Sequence, residues 1–481
     1  MNRKLVFRLL GQLLLIEAAL MLPSLAVALI YGEGDAPAFV YTILLCAAVG
    51  LPLTLKIHAG QQNLNARDGM AVAGLSWVVL SFFGALPFVF SGAIPGLADA
   101  YFEAVSGFTT TGSTILTQVE GLAHGVLFWR SFTHWVGGMG VLIFTLALMP
   151  RLTGRTSHLA RAESPGPTFS KLLPRMSDTA KALYGLYIAL SMIQTVCLLL
   201  AGMNLFDALI HTFGTAGTGG FSNYNLSVGA FQNPAIEWII AIFMLLFGVN
   251  FAIYFRILRR DGRDALRGEE FLTYLGLALA ATVAIALCIQ PEYGDFLVSL
   301  RHAFFQVMSV MSTSGFATAD FNLWPVFAKA VLVLLMCFGA CAGSTAGGFK
   351  ISRVVMLFKA TVREIRHTLQ PRKVSVVRLD GKTVPEETLS QLGIFLFIYI
   401  LLALAGGVLL SLETGDATTA FTAALTCLSN VGPGLGAVGP AGNFAFFSPQ
   451  AKLLCSFLML AGRLEVYPLL VLFSIHLWKS N

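Results

Sequence analysis

The chain contains ten segments that are long and apolar enough to cross a membrane, and this pattern limits the folds open to it. The segments lie at about 9–31, 38–57, 70–90, 124–149, 182–203, 235–257, 271–290, 326–358, 391–412 and 450–477. Only 12% of the residues are charged, against about 25% in a soluble domain. A backbone inside a bilayer must satisfy its own hydrogen bonds. The sequence therefore predicts an all-α membrane protein with ten transmembrane helices.

Four shorter apolar pieces lie between these spans. They cover 99–109, 206–215, 297–312 and 416–428, and each is too short to cross a bilayer as a helix. Non-helical backbone at membrane depth is tolerated where it is covered by protein or lines a wet cavity. We therefore expect four re-entrant half-helices, each followed by a loop.

The positions of Lys and Arg predict the orientation of the chain. If the N-terminus lies in the cytoplasm, all but five of the 31 basic residues fall on cytoplasmic ends or loops. The five exceptions are Arg130, Arg301, Lys329, Lys452 and Arg463. This asymmetry predicts both termini in the cytoplasm. It also explains the net charge of +6 without a nucleic-acid partner, and leaves acidic membrane lipid as a second partner for the basic loops.

An internal repeat links the half-helices to the loops that follow them. A glycine stands twelve residues after an alanine four times, in the pairs Ala100–Gly112, Ala208–Gly220, Ala303–Gly315 and Ala420–Gly432. The local sequences are "TTTGS", "GTGGF", "STSGF" and "SNVGP". We expect four span–pore helix–loop–span units around a pseudo-fourfold pore, at 67–155, 180–260, 268–365 (with a broken second helix) and 385–481. Two extra N-terminal helices occupy 1–66.

Four loops that meet at one axis would surround a cation. Carbonyl rings can replace the water shell of a dehydrated ion, and glycine supplies the backbone freedom that such loops need. Any one loop alone reads as an ordinary Gly- and Thr-rich connection, but four at matched spacing favour a shared role. The expected ion-binding residues are Thr110, Thr111, Gly112, Thr218, Gly219, Gly220, Thr313, Ser314, Gly315, Asn430, Val431 and Gly432.

These loops give the chain its resemblance to a known family. "TTTGST", "GGFS", "STSGF" and "NVGPGLG" resemble the four selectivity-filter sequences of the Trk/Ktr/HKT superfamily of potassium transporters. The extra N-terminal pair, "GGMG", "CAGSTAGGFK" and "GRLEVYPLL" are similar to the TrkH branch. The resemblance implies K⁺ uptake through a homodimer in the bacterial inner membrane. It also implies a cytosolic TrkA-like ring that binds nucleotides and controls the gate.

Two loops differ from the common pattern. The second carries the additional glycines Gly214 and Gly217, which we expect to loosen it, and the fourth has Asn430 and Val431 in place of hydroxyls. A family member that does not discriminate between Na⁺ and K⁺ therefore stays open as an alternative.

The segment 326–358 is too long for one straight span, and its middle reads "GACAGSTAGGFK". Glycine disfavours helix by about 1 kcal/mol relative to alanine, so an unwound loop is one interpretation. Close helix packing is the other, because small residues spaced by four are common where membrane helices touch. The resemblance implies a pore-blocking gate loop with Gly343, Ser344, Thr345, Gly347, Gly348 and Lys350.

Several ionisable residues fall inside apolar segments. Arg463, in the last span, is costly there unless it faces a cavity or a partner; a structural ion pair is one interpretation, and the resemblance favours a pore-facing role in the gate. Glu17 is interpreted as a packing or dimer contact, and Glu103 as either a structural carboxylate or a source of negative potential. We expect Arg130, Lys329 and Lys452 to anchor external helix ends. His134 and His211 are interpreted as core histidines.

Two other classes of function remain as alternatives. An ion-coupled transporter of a small solute also uses repeats and broken helices, often with inverted topology, whereas the repeats here share one orientation. A membrane enzyme would need a reactive cluster, and the sequence has no P-loop or HExxH motif. The seven cysteines form no CxxC pair, which argues against a metal site. We expect K⁺ as the transported ion and no organic cofactor.

Overall fold

The computed structural model describes residues 2–57, 66–140, 176–258, 266–373 and 375–474. These residues are predominantly helical, as predicted. Two short strands, β1 (Arg378–Leu379) and β2 (Lys382–Thr383), form a small hairpin that the sequence did not predict.

The N-terminal pair of spans precedes the repeats. It consists of α1 (Arg3–Leu20), α2 (Leu22–Tyr31) and α3 (Ala36–Leu55). The pair packs closely where Gly11 meets Gly50: a Cβ added at Gly50 would lie 2.9 Å from the carbonyl oxygen of Gly11. Small residues at such a crossing let two backbones approach.

Each repeat begins with a long helix and continues with a half-helix. The first spans are α4 (Ala66–Phe90), α7 (Met176–Leu200), α11 (Glu269–Tyr293) and α15 (Glu386–Leu410). The half-helices are α5 (Leu97–Phe108), α8 (Leu205–Gly217), α12 (Phe296–Met311) and α16 (Ala417–Ser429). The four repeat alanines, Ala100, Ala208, Ala303 and Ala420, are fully buried. The half-helices therefore lie in the core of the protein.

The second spans are shorter. Their outer parts are α6 (His124–Gly138), α9 (Pro234–Phe247), α13 (Val326–Cys337) and α17 (Pro449–Arg463). Three of them are followed by a further helix after a break, namely α10 (Phe251–Leu258), α14 (Ile351–Leu369) and α18 (Tyr467–Leu472). The continuation predicted for α6, at 141–149, lies outside the described residues.

Within the described part of the chain, six helices are long and apolar enough to cross a membrane. They are the two N-terminal spans and the first spans of all four repeats. The pair α9 and α10 makes a seventh if its 88° bend is counted as one span. Besides the broken second span expected in the third repeat, α9 and α17 also end at mid-segment.

The reasons for these breaks are local. The chain turns at Gly248–Asn250 after α9, and at Leu464–Val466 after α17. Val466 adopts φ +67°, which is a genuine outlier for a β-branched residue and cannot continue a helix. Hydropathy did not reveal either break, although Asn250 lies in the first turn and Glu465 in the second.

Candidate ion-conducting site

The four half-helices end in the same backbone conformation. The residue two positions before each repeat glycine is left-handed: φ is 56° at Thr110, 57° at Thr218, 58° at Thr313 and 56° at Asn430. The next residue donates its N–H to the carbonyl five positions earlier. These bonds are Thr111–Ser106 (2.9 Å), Gly219–Gly214 (2.8 Å), Ser314–Ser309 (2.8 Å) and Val431–Thr426 (3.0 Å). The repeat seen in the sequence is therefore a repeat of atomic geometry.

The left-handed threonines mark a strained site that sequence reasoning missed. We expected positive φ only at the repeat glycines. These four glycines do have positive φ, from 75° to 102°. A β-branched residue in this region is unusual. Such strain costs about 1–3 kcal/mol per residue and persists where the surroundings impose it, often at functional sites. Asn430, a residue type that tolerates this conformation, was the one available signal.

The repeat glycines form a closed ring of contacts. A Cβ added to each would meet the carbonyl oxygen of the residue before the glycine of the next repeat. The distances are 1.9 Å from Gly112 to Gly219, 1.9 Å from Gly220 to Ser314, 2.3 Å from Gly315 to Val431 and 2.7 Å from Gly432 to Thr111. Because the order runs through all four repeats and returns to the first, the loops surround one axis.

A cavity of about 240 Å³ opens on the side of the ring that follows the glycines. All four repeat glycines line it. Ser113, Tyr224 and Asn225 are among the polar residues on its wall, so the cavity can hold a hydrated ion before it enters the ring.

The side chains of the ring are not fourfold. Thr111 accepts a hydrogen bond from Asn430 Nδ2 at 2.9 Å, whereas Val431 at the matching position is apolar. The expectation of a looser second loop was wrong. An added Cβ at Gly214 would lie 2.7 Å from Phe316, and one at Gly217 would lie 2.2 Å from the carbonyl oxygen of His134. The additional glycines are required by close packing.

The segment between α13 and α14 closes the other side of the ring. Residues 338–350 are not helical, which supports the loop interpretation of "GACAGSTAGGFK". Gly347 donates its N–H to Thr313 Oγ1 at 2.8 Å. An added Cβ at Gly347 would lie 2.7 Å from the carbonyl oxygen of Ser429. The loop therefore touches the third and fourth filter loops directly, on the side that precedes the glycines.

The predicted gate residues lie in this loop or bond to it. Gly343 and Gly348 have positive φ, 72° and 67°. Thr345 and Lys350 are buried, and Lys350 Nζ donates to the carbonyl of Ala346. Ser344 Oγ donates to the carbonyl of Cys341 at 2.6 Å. These bonds keep the loop compact without a helix.

Arg463 ties the loop to the first repeat. Its Nη1 donates to the carbonyl of Thr345 at 2.8 Å, and its Nη2 donates to the carbonyl of Gly138, at the end of α6, at 2.8 Å. Glu465 pairs with Arg353 at 2.5 Å. Arg463 therefore joins a carbonyl of the loop to the end of α6.

Glu270 is a loop contact that the sequence did not reveal. Its Oε1 accepts the N–H of Ala342 at 2.6 Å and the N–H of Ser352 at 3.2 Å. It thus holds both ends of the loop from the start of α11. The residue lies at the polar end of a span, where a carboxylate is ordinary, so its spacing carries no signal.

The basic residues that broke the charge asymmetry join the repeats to one another. Arg130 donates to the carbonyl of Ser222 in the second repeat (3.0 Å). Arg301 of the third repeat pairs with Glu237 of the second (2.8 Å). Lys452 of the fourth pairs with Asp99 of the first (2.7 Å). Arg130 and Lys452 are both buried, so each anchors its helix through a contact with a neighbouring repeat.

Between the third and fourth repeats an asparagine replaces the ion pair. Asn322 exchanges two hydrogen bonds with the backbone of Gly436, each 3.0 Å long. Lys329 Nζ donates to the carbonyl of Asn322 at 3.1 Å and so supports this contact. All four boundaries between repeats are therefore joined by polar contacts around the ring.

Removing Arg130 should destabilise the protein strongly. Arg130 Nε lies 2.7 Å from Glu103 Oε1, and both side chains are buried, 2% and 0% exposed. Breaking a buried pair leaves an uncompensated charge and costs about 3–5 kcal/mol. We expect Arg130→Gln to lower the midpoint of thermal unfolding in detergent far more than Lys329→Gln. Equal midpoints for the two variants would contradict this role.

The remaining predicted side chains are structural. Glu103 accepts the N–H of Ile115 at 3.0 Å as well as Arg130, which supports the structural interpretation. His134 and His211 are core residues, as predicted, and each bonds a backbone carbonyl at 2.8 Å. Glu17 is buried within the chain against Gly84, which favours a packing contact over a dimer contact.

The fold and the site define a class, that of membrane proteins with four pore loops around one axis. Comparison with known proteins places the chain more closely. A family model described as TrkH, "Cation transport protein", matches residues 35–289 and 297–480. The Trk system potassium uptake protein TrkH of Salmonella typhimurium is 39% identical over all of both chains. TrkG of Escherichia coli is 34% identical over 98% of this chain and 97% of its own.

A solved structure agrees with these matches. The crystal structure of the potassium transporter TrkH from Vibrio parahaemolyticus superposes with a TM-score of 0.90, at 31% identity and over all of both chains. This chain belongs to the TrkH family of cation transport proteins. Its relatives are named as transporters, in agreement with the expectation that the protein is not an enzyme.

Proposed function

We propose that this protein takes up K⁺ through the ring formed by its four filter loops. The proposal rests on one observation above the others: each filter glycine abuts a carbonyl of the next repeat, and the contacts close on themselves. A ring of carbonyls can replace the hydration shell of K⁺. The ion-binding residues are those named from the sequence, with Gly112, Gly220, Gly315 and Gly432 at the contacts. The names of the relatives give the ion.

The direction of the half-helices supports a cation in particular. Each half-helix runs toward the ring and ends at its left-handed residue, so its C-terminal end lies nearest the ion path. The C-terminal end of a helix carries a partial negative charge. Four such ends around one axis favour a cation there and disfavour an anion.

The loop at 338–350 is proposed as the gate. It lies across the inner side of the ring, and Thr313, Arg463 and Glu270 hold it there. No energy source is needed in this chain for passive permeation. The relatives are described as parts of a Trk system, and we propose that a cytosolic TrkA-like, nucleotide-binding ring moves the loop.

The cellular setting follows the same reasoning. We propose a homodimer in the bacterial inner membrane with both termini in the cytoplasm. The distribution of basic residues supports this orientation, since the segments 91–123 and 412–449 contain no Lys or Arg. The filter cavity then faces outside, and α14 and the β1–β2 hairpin face the cytoplasm, where a partner can dock.

A flux competition tests the proposal. Purified protein in liposomes is assayed for uptake of ⁸⁶Rb⁺ against external K⁺, Na⁺ and Li⁺. We expect K⁺ and unlabelled Rb⁺ to compete strongly and Na⁺ and Li⁺ weakly. Equal competition by Na⁺ would identify a non-selective member of the family. Competition by a bulky organic solute would instead support a coupled transporter and contradict the proposal.

A further inference from the structure

The second filter loop lacks side chains where the other three have them. Gly217 and Gly219 stand at positions that hold Thr109 and Thr111, Ser312 and Ser314, and Ser429 and Val431 in the other repeats. Among the described glycines, positive φ is found at Gly220 but not at Gly217 or Gly219. The backbone conformation therefore does not require glycine at these two positions, and something else must exclude a side chain.

A histidine of the first repeat occupies the missing volume. A Cβ added at Gly219 would lie 2.4 Å from both Cγ and Nδ1 of His134. One added at Gly217 would lie 2.2 Å from the carbonyl oxygen of the same residue. Real Cβ atoms do not approach other atoms this closely, because interiors are packed at van der Waals distance. The imidazole of α6 thus stands where the second loop's own side chain would be.

The imidazole is fixed in this place by two contacts, and a third contact supports one of them. Its Nδ1 lies 2.8 Å from the carbonyl oxygen of Gly107, and because a carbonyl only accepts, Nδ1 carries the proton. Its ring packs against that of Phe221, with centroids 4.1 Å apart and the planes tilted by 35°. The guanidinium of Arg130 packs on the ring of Phe221, 3.5 Å from its centroid, and so holds Phe221 in place. His134 is fully buried, so the ring cannot move without displacing the loop.

We propose that His134 is a positioning residue for ion selection, which completes the second filter loop from a neighbouring repeat. In the first and third loops, hydroxyl pairs brace the backbone: Thr109 with Thr111 at 2.8 Å, and Ser312 with Ser314 at 2.8 Å. The second loop has no such pair, and the imidazole braces it instead. This inference rests on the proposed filter function.

Reciprocal variants test the proposal. His134→Ala removes the brace and leaves a space beside Gly219; we expect the K⁺/Na⁺ uptake ratio to fall about tenfold. Gly219→Ser forces a side chain against the imidazole and should lower K⁺ uptake about tenfold. The double variant places a serine in the vacated volume, as at Ser314, and should return the ratio to within about threefold of wild type.

Two control variants separate this effect from general loss of packing. Gly276→Ser adds the same side chain at a helical glycine of α11 with nothing within 4 Å, and should not change uptake. Val136→Ala removes buried volume from the same helix as His134, and should not change the K⁺/Na⁺ ratio. Monodispersity is checked for every variant. If His134→Ala fails to fold, His134→Asn, which keeps a donor for Gly107, takes its place in the same comparison.

The outcomes are distinct. A wild-type protein that does not prefer K⁺ overturns the proposed K⁺ selectivity and with it this role. If the wild type is selective, an unchanged ratio in the variant at position 134 overturns the role of His134 alone. A double variant whose K⁺/Na⁺ uptake ratio is no higher than that of Gly219→Ser also overturns this role. Restoration in the double variant supports the proposal, because a merely destabilised helix would not regain selectivity from a second substitution.

Discussion

Gly112→Ser and Gly315→Ser should each lower the K⁺/Na⁺ uptake ratio about tenfold or more, which corresponds to about 1.4 kcal/mol of lost discrimination. The added Cβ would lie 1.9 Å from the carbonyl oxygen of Gly219 in the first variant and 2.3 Å from that of Val431 in the second. Both glycines also have positive φ, 81° and 75°, which a serine adopts only with strain. The carbonyls must shift, and a ring that shifts no longer fits K⁺.

The control for this experiment is Gly276, a glycine outside the ring in the same repeat as Gly315. Gly276→Ser lies on α11 with open space around it and should retain the wild-type ratio. Uptake is measured in liposomes with K⁺ and Na⁺ in separate and mixed conditions. Unchanged ion preference in both ring variants, with normal folding, would contradict the assignment of the filter.

Deleting residues 343–348 should raise K⁺ flux about tenfold in the absence of any cytosolic partner. The deleted segment contains Thr345, whose carbonyl accepts from Arg463, and Gly347, whose N–H binds Thr313 beneath the ring. Without it, the loop loses both of these contacts beneath the filter. Reduced flux in a folded, monodisperse variant would contradict a gating role.

A milder variant addresses the same loop without shortening the chain. Glu270→Ala removes the acceptor for the N–H groups of Ala342 and Ser352, and should raise partner-free flux by a smaller factor than the deletion. Glu269→Ala is the matched control: the adjacent carboxylate pairs with Lys359 instead of the loop. Equal effects of the two substitutions would show that the loop contact of Glu270 does not hold the gate.

The sequence predicted the repeats and their four loops well because both are carried by period and spacing. The twelve-residue step from alanine to glycine, as from Ala420 to Gly432, identified each half-helix and its loop. In the structure all four loops have the same backbone geometry. Positive φ at the glycines followed from their residue type. The left-handed state of Thr110 did not, because it is imposed by packing around the ring and opposes the residue's own preference.

The parts that the sequence could not give depend on contacts between distant segments. Arg130 and Lys452 were expected to anchor external helix ends, but the partners through which each joins two repeats were not predicted. Residues such as Glu237 and Arg301 are 64 positions apart, and no local pattern links them. The close approach of His134 to Gly217 and Gly219 is hidden for the same reason, although both glycines were visible in the sequence.

The most direct test of the central claim is to locate the ion. Crystals of the protein grown in Rb⁺ or Tl⁺ should give an anomalous difference peak on the axis of the four loops, at the level of the carbonyls of Thr111, Gly219, Ser314 and Val431. We expect that peak to vanish when Na⁺ replaces the heavy ion. A heavy-ion peak away from this axis, or none at the ring under conditions that support uptake, would contradict the account.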